Sequence, residues 1–388
     1  MTIWEIGAKL SHMKRILESS IRSDLEQKLV LLSGPRQVGK TTLARQLYSS
    51  ESEYLNYDSS DDRKAIKSLE WRRDRKLVIF DELHKMTGWK RWLKGIYDTE
   101  GFPPSILVTG SARMDVYRQG GESLAGRHFL YRLHPLSICE VQRCYSGKAE
   151  EIEEQLLRLG GFPEPFLKGE DTFAKRWRRN HIDRILREDL LDLEKVREIK
   201  SIEILVDLLA ERVGSTTSFS SLARDLEVSP KTVKHWIEIL QRMFVVFIVS
   251  PYSRNIARAI LKEPKIYFYD IARVKDRGGA RLENLAALSL LKRNQFLEDT
   301  QGERMGLFYI RDRQKREVDF LTLRDQEPEW LIEVKENDPK VSPSLKHFLK
   351  SLPGVQPIQI SRELRKEFDT KEGIHVRKSA PWLAELES

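Results

Sequence analysis

The apolar run Leu29-Val30-Leu31-Leu32 is followed almost at once by Gly34-Pro35-Arg36-Gln37-Val38-Gly39-Lys40-Thr41-Thr42. A glycine-bounded turn between a buried strand and a helix start commits this stretch to one unit, a strand feeding a phosphate loop that opens a helix. Gly34 and Gly39 let the backbone curl so that successive N–H groups face an anion. The helix opening at Lys40 adds the positive end of its dipole. Residues 34–42 are thus expected to cradle a nucleoside triphosphate. Lys40 would reach the β- and γ-phosphates, and the Thr41 hydroxyl would ligate Mg²⁺.

A second landmark supports the first. Leu77-Val78-Ile79-Phe80 runs into Asp81-Glu82. Four consecutive apolar residues suit a strand buried on both faces of a parallel sheet, which delivers the acids at its C-terminal edge. Asp81 is expected to hold the Mg²⁺ shell, and Glu82 to orient and polarise the water that attacks the γ-phosphate. Further strands are predicted at residues 54–58, 106–111 and 129–133, alternating with helices at 41–48, 62–71 and 89–97. That alternation predicts a parallel sheet with helices on both faces and a ligand at the strands' C-terminal ends. Thr109 and Ser111 end one strand, where a hydroxyl either senses the γ-phosphate or caps the following turn.

The 388 residues suffice for two to four domains. No apolar run approaches the roughly 20 residues of a membrane span, and residues 1–15 lack the continuous apolar stretch of a signal peptide. Cys139 and Cys144 are the only cysteines, without metal-ligand spacing, so a reduced, cytoplasmic setting is expected. The formal net charge of +8 permits a nucleic-acid partner without requiring one.

After the nucleotide-binding region, residues 156–200 read as helical, a lid or linker. Lys175, Arg176, Arg178 and Arg179 surround Trp177 there, either as a phosphate-contacting stripe or as a solvated helix face. From Ser201 shorter elements follow. Residues 218–226 read as a helix, and Ser229-Pro230 caps a second one. In that helix Val233, Trp236, Ile237 and Leu240 form the core face, leaving Lys231, Thr232, Lys234 and His235 outside. With apolar strands at 244–249 and 266–269, and the basic segment 253–265 between them, this reads as a winged helix-turn-helix. Its outer face either contacts DNA or packs against protein.

The C-terminal stretch carries Glu283 on a helix over 281–291, Asp319 on a strand over 317–323, and Glu333-Val334-Lys335 on a partner strand over 330–336. Side-chain alternation puts Glu333 and Lys335 on one face, about 7 Å apart in rise. Asp319 and Glu333 are expected to clamp a divalent cation, with Lys335 stabilising charge on a scissile phosphate.

The pieces GPRQVGKTT, LVIFDE, ILVTGSAR, SLAGRHFLYRLHPLS and LGGFPEP occur in collinear order. They resemble a prokaryotic family of AAA-type ATPases that carry a PD-(D/E)xK-like C-terminal region. By that resemblance Asp319 is the signature Asp, Glu333 and Lys335 the E-x-K, and Glu283 the helix acid. The resemblance also implies an arginine acting in trans on a neighbouring copy, with Arg127 the first candidate and Arg113 the second. A structural salt bridge is the alternative for either residue. Gly120-Gly121 just ahead suggest a mobile loop.

The expected architecture is α/β. An AAA-type P-loop core (1–145), with helices on both faces of a parallel sheet, is followed by a helical lid (146–200). A winged helix (201–275) and a PD-(D/E)xK nuclease-like α/β domain (276–388) complete it. The expected function is an Mg²⁺-dependent ATPase, in a homo-oligomer, that couples ATP to DNA engagement and metal-dependent DNA cleavage, Mn²⁺ being an alternative ion at the nuclease-like site. The rival reading is a non-cleaving, ATP-switched regulator that binds DNA or protein through an inactive nuclease-like fold. A third is an adaptor whose protein partners carry the chemistry.

Overall fold

The computed structural model describes residues 13–101, 104–111, 124–145, 147–189, 198–253, 263–337 and 340–386. Arg113, Gly120-Gly121 and most of the basic segment 253–265 lie outside the described residues. The chain forms two compact units, Met1–Pro135 with Arg242–Phe244, and Leu136–Gln241 with Val245–Ser388.

The first unit holds a five-stranded sheet. Its strands are β1 (Leu29–Ser33), β2 (Ser52–Asn56), β3 (Leu77–Asp81), β4 (Ser105–Gly110) and β5 (His128–Arg132), in the order β2-β3-β4-β1-β5. Every pairing is parallel. β1 and β3 are buried at all five positions, as their unbroken apolar runs require. The intervening helices Lys40–Tyr48, Ser60–Ser68 and Trp89–Glu100 begin within two residues of the expected positions. On one side Trp71, Phe80 and Trp92 pack edge to face, with centroids 5.3 to 5.9 Å apart. Because β1 lies between β4 and β5, its C-terminal turn emerges at the sheet edge where β3 and β4 also end.

The second unit begins with helices Ile138–Cys144, Ala149–Leu159, Pro163–Lys168 and Asp171–Arg184. Trp177 is buried among Phe162 and His181, with ring centroids at 5.1 and 4.5 Å, and its indole N–H donates to Glu164 at 2.9 Å. Lys175, Arg176 and Arg179 remain exposed, whereas Arg178 pairs with Asp270 at 2.8 Å. The tryptophan is therefore core, not a platform for a base.

Helices Phe219–Asp225 and Pro230–Arg242 follow, the latter opened by Ser229, whose hydroxyl accepts from the Thr232 amide at 3.1 Å. Strands β6 (Val246–Pro251) and β7 (Lys265–Phe268) then form an antiparallel hairpin. They do not close off a separate module. β6 also pairs in parallel with β8 (Met305–Arg311), so the expected boundary at residue 275 is crossed by hydrogen-bonded strands. The continuous eight-stranded sheet adds β9 (Glu317–Arg324), β10 (Glu327–Lys335), β11 (Gln356–Ser361), β12 (Phe368–Asp369) and β13 (His375–Lys378). Its order is β12-β13-β11-β10-β9-β8-β6-β7.

The helix Ala280–Gln301 is longer than its apolar spacing suggested. Its buried Asn284 clips the edge strand β7, donating to the Phe268 carbonyl and accepting from the Phe268 amide, each at 2.8 Å. One side chain thus satisfies both backbone groups of an edge residue. On the same helix Lys292 forms a buried pair with Glu140 at 2.6 Å.

Glu153, on the helix Ala149–Leu159, is buried with Arg362 Nε 3.8 Å from its carboxylate. Burial pushes its carboxyl up from 4.5 to about 7, with Arg362 pulling the other way. A raised carboxyl binds its proton more tightly in the folded state. Its contribution to stability is full below pH 4.5 and is lost as pH rises through about 7. Glu153→Gln should therefore flatten the loss of stability between pH 5 and pH 8 by up to roughly 3 kcal/mol, from 1.36 kcal/mol per pKa unit. Urea unfolding of both proteins at the two pH values checks this.

Candidate functional site

The turn after β1 is built as its glycines demand. A Cβ placed on Gly34 would lie 2.3 Å from the Leu133 carbonyl oxygen, so no larger residue fits under that strand. Gly39 caps the following helix at φ 102°, a left-handed conformation open to glycine. Arg15, itself buried, donates to the Val38 carbonyl at 3.0 Å and to the His134 carbonyl, tying the loop to the residues after β5. Lys40 is buried, and its ammonium donates to the carbonyls of Gly34 and Pro35 at 2.8 Å each. Arg36, Gln37, Val38, Thr41 and Thr42 complete the curl.

Asp81, at the end of β3, lies beside this loop and is only 5% exposed. Hydroxyls surround its carboxylate. Thr41 Oγ1 donates to Oδ2 at 2.9 Å, Tyr54 to the same oxygen at 2.6 Å, and Thr109 to Oδ1. Burial and this bond to Asp81 push the Tyr54 phenol above its ordinary range. The Arg45 guanidinium stacks 3.8 Å from the Tyr54 ring centroid. Glu82 follows in the left-handed conformation, φ 54°. Ser111 Oγ donates to its Oε2 at 3.2 Å, and His84 Nε2 lies 3.5 Å from that oxygen. Burial holds His84 below its usual pKa.

Gly34, Gly39, Lys40, Thr41, Asp81, Glu82, Thr109 and Ser111 thus converge at one sheet edge. Thr109 and Ser111 each hold one of the two acids. The adjoining Thr41 hydroxyl and Asp81 carboxylate suit a shared Mg²⁺, since oxygen ligands from hydroxyl, carboxylate, phosphate and water are what that ion takes.

Arg127 lies elsewhere. It precedes β5, at the edge opposite the phosphate loop, five strand residues or about 16 Å away. Its guanidinium grips Asp98 at 2.7 and 3.2 Å. It therefore has no reach to the phosphate loop of its own chain.

In the second unit β9 and β10 run antiparallel, with Ile332 opposite Phe320. One step further along, Asp319 Oδ2 accepts from the Val334 amide at 3.0 Å. Glu333 is buried and pairs with Lys335 Nζ at 2.7 Å. Burial, then the charge of Asp319, pushes Glu333 up to about 7, with Lys335 opposing. Burial and Asp319 likewise raise Glu283, which lies in the first turn of Ala280–Gln301. Asp319, Glu333, Lys335 and Glu283 are thus brought together.

The expected two-carboxylate clamp is not the resulting arrangement. The Lys265 ammonium, on a side chain with no solvent exposure, lies 3.0 Å from Glu283, 2.8 Å from Glu317 and 3.2 Å from Asp319. Tyr267, two residues along β7 on the same face, donates to Glu283 Oε1 at 2.6 Å. Burial opposes the lysine's charge, but Tyr267 and the acids Glu283, Asp319 and Glu317 outweigh it and hold the pKa well above its usual value. Among the described residues no group of three His, Cys, Asp or Glu side chains is arranged to hold a metal ion.

On the helix Pro230–Arg242, Lys231, Lys234 and His235 are exposed and Thr232 is half-buried, opposite the buried Val233, Trp236, Ile237 and Leu240. Tyr54, His84, Lys265, Tyr267 and Glu317 are site residues that sequence reasoning did not single out. The available signal was a lysine opening the otherwise apolar Ile266-Tyr267-Phe268 run, two residues from a tyrosine and so on its face.

Residues 26–142 match a family model described as an AAA domain. Residues 150–274 and 278–376 match two models, DUF8612 and DUF4143, each described as a domain of unknown function. An uncharacterized protein of Mycobacterium tuberculosis is 27% identical over 344 residues, covering 84% of this chain and 74% of the relative. Another, from Methanocaldococcus jannaschii, is 25% identical over 354 residues, covering 82% and 76%. Among solved structures, AMPPCP-bound DnaA from Aquifex aeolicus aligns over 59% of this chain and 88% of its own, at 14% identity and a TM-score of 0.33. The AAA match spans all five strands of the first sheet, so residues 26–142 form a P-loop ATPase domain of the AAA type.

Gly34→Ala should prevent the loop from closing under Leu133 and weaken nucleotide binding at least about tenfold, roughly 1.4 kcal/mol. Titration with a fluorescent ATP analogue, beside a melting curve showing a folded protein, measures the loss.

Proposed function

We propose that this chain is an Mg²⁺-dependent ATPase whose nucleotide state sets how its second unit engages DNA, and that it engages DNA without cutting it. The observation carrying the ATPase reading is the convergence of Lys40, Thr41, Asp81 and Glu82. Lys40 would bind the β- and γ-phosphates, Thr41 and Asp81 would hold Mg²⁺, and Glu82 would orient and deprotonate the attacking water. The ion would neutralise developing phosphate charge. The Ser111 hydrogen bond and the neighbouring His84 fix the direction in which the Glu82 carboxylate points. Lys231, Lys234 and His235 would contact DNA phosphates, with Thr232 beside them.

Lys265 favours the non-cleaving reading over metal-dependent cleavage by Glu283, Asp319, Glu333 and Lys335. Three of the carboxylates about this face already share its ammonium. Arg127 faces away from its own phosphate loop, so a catalytic role for it requires a second copy of the chain in a homo-oligomer, with Asp98 released.

Lys40→Ala should abolish ATP binding. Glu82→Gln should bind ATP and hydrolyse it at least about 100-fold more slowly, the usual range for a lost general base. Steady-state turnover with a parallel binding titration tests both, and normal turnover in Glu82→Gln would overturn the assignment. Arg127→Ala mixed with Lys40→Ala should regain activity if the arginine acts in trans; no regain assigns it to the Asp98 salt bridge.

Lys231→Glu with Lys234→Glu should weaken DNA binding and flatten its salt dependence. Plasmid incubated with ATP and Mg²⁺ or Mn²⁺ should stay intact. Nicking by the wild type that is lost in both Asp319→Ala and Glu333→Ala would replace this reading with the cleaving one.

A further inference from the structure

We propose that Lys265 is a built-in counter-cation. Its ammonium does between Glu283, Glu317 and Asp319 the electrostatic work of a divalent ion, so the acid cluster is complete without metal and becomes a metal site only when the lysine is removed. This rests on, and deepens, the non-cleaving reading above.

Four carboxylates, Glu283, Glu317, Asp319 and Glu333, come from one helix and two adjacent strands onto this face. Such a concentration of largely buried negative charge calls for a compensating cation. Two kinds of cation can serve, an imported metal or a side chain from the same fold. The chain supplies the second.

Lys265 has three carboxylates within 3.2 Å, matching the three protons of an ammonium. Lys335 takes Glu333 at 2.7 Å, and Arg311 lies 3.5 Å from the second oxygen of Glu317. Neutral donors fix these carboxylates further. Asp319 Oδ2 accepts the Val334 amide, and Glu283 Oε1 accepts the Tyr267 hydroxyl. Gly214 presses close as well, since a Cβ there would lie 2.7 Å from Glu283 Oε2.

A divalent ion would need oxygens of this set at about 2.0–2.6 Å. An ammonium nitrogen already 2.8 to 3.2 Å from three of them fills that space.

The lysine is also fixed. It opens β7, pairs with Val249 in the hairpin, and has its strand clipped by Asn284 from the helix that carries Glu283. Withdrawing the ammonium would require breaking that clip or rotating a side chain that has no solvent exposure. Lys265 is thus a positioning residue, holding three acids in one geometry.

The test uses the full chain without nucleotide, so that the phosphate loop does not report, and Mn²⁺ alone as probe. Calorimetric titration of the wild type should show no saturable site that depends on Asp319. Lys265→Met, isosteric but uncharged, should melt lower in EDTA than the wild type and regain several degrees with Mn²⁺. Its saturable Mn²⁺ site should disappear in Lys265→Met/Asp319→Asn. Wild-type binding of Mn²⁺ that is lost in Asp319→Asn would overturn the proposal, as would a folded Lys265→Met that ignores Mn²⁺. If Lys265→Met does not fold, the wild-type titration decides alone.

The two proposals fail separately. Plasmid cleavage without Asp319-dependent Mn²⁺ binding would sink the non-cleaving reading and leave the counter-cation. Asp319-dependent Mn²⁺ binding without cleavage would do the reverse.

Discussion

A buried carboxylate must find hydrogen-bond donors, and the kind of donor decides what else it can bind. Asp81, at the end of β3, and Asp319, within β9, are both tied down, yet by different partners. Asp81 is held by three neutral hydroxyls, from Thr41, Tyr54 and Thr109. These satisfy its lone pairs and leave its full negative charge uncancelled beside the phosphate loop. Asp319 shares an ammonium with Glu283 and Glu317, so its charge is spent within the fold. The first arrangement attracts a cation; the second already contains one.

Strand order makes both arrangements possible. In the first unit β1 lies between β4 and β5, and β3 ends beside β4, so the loop after β1, the acids after β3 and the hydroxyls of Thr109 and Ser111 meet at one edge. All-parallel pairing also explains why Arg127, which precedes β5, stands at the edge opposite the loop that follows β1. In the second unit, the merging of the β6–β7 hairpin with β8 brings Lys265 onto the acids of β9 and of the helix Ala280–Gln301.

The phosphate loop and the Asp81-Glu82 pair were legible because each is a local pattern: a glycine spacing, or an apolar run ending in acids. The strands of the first sheet fell within two residues of expectation for the same reason. Asp319, Glu333 and Lys335 were legible as a face because strand alternation is also local. Lys265 was not. It reaches Glu283 and Asp319 across 18 and 54 residues, and in sequence it is the last residue of the basic segment 253–265, which reads as part of a wing. Tyr54 was missed because its contact depends on the parallel register of β2 against β3, which no spacing within either strand reveals. At Trp177 the sequence left a phosphate-contacting stripe and a solvated helix face open, and the packing of the indole against Phe162 and His181, with Lys175, Arg176 and Arg179 exposed, fits the second.

The same contrast bears on how each site tolerates change. Removing one hydroxyl from Asp81 leaves two other donors and a neutral gap, which costs about 1 to 3 kcal/mol if the remaining oxygen stays dry. Removing Lys265 takes a shared charge partner from three largely buried acids at once, leaving Arg311 on Glu317 alone, and breaking a buried pair costs more, up to about 3 to 5 kcal/mol. The acid cluster and its lysine therefore act as one electrostatic unit, whereas each hydroxyl on Asp81 contributes separately.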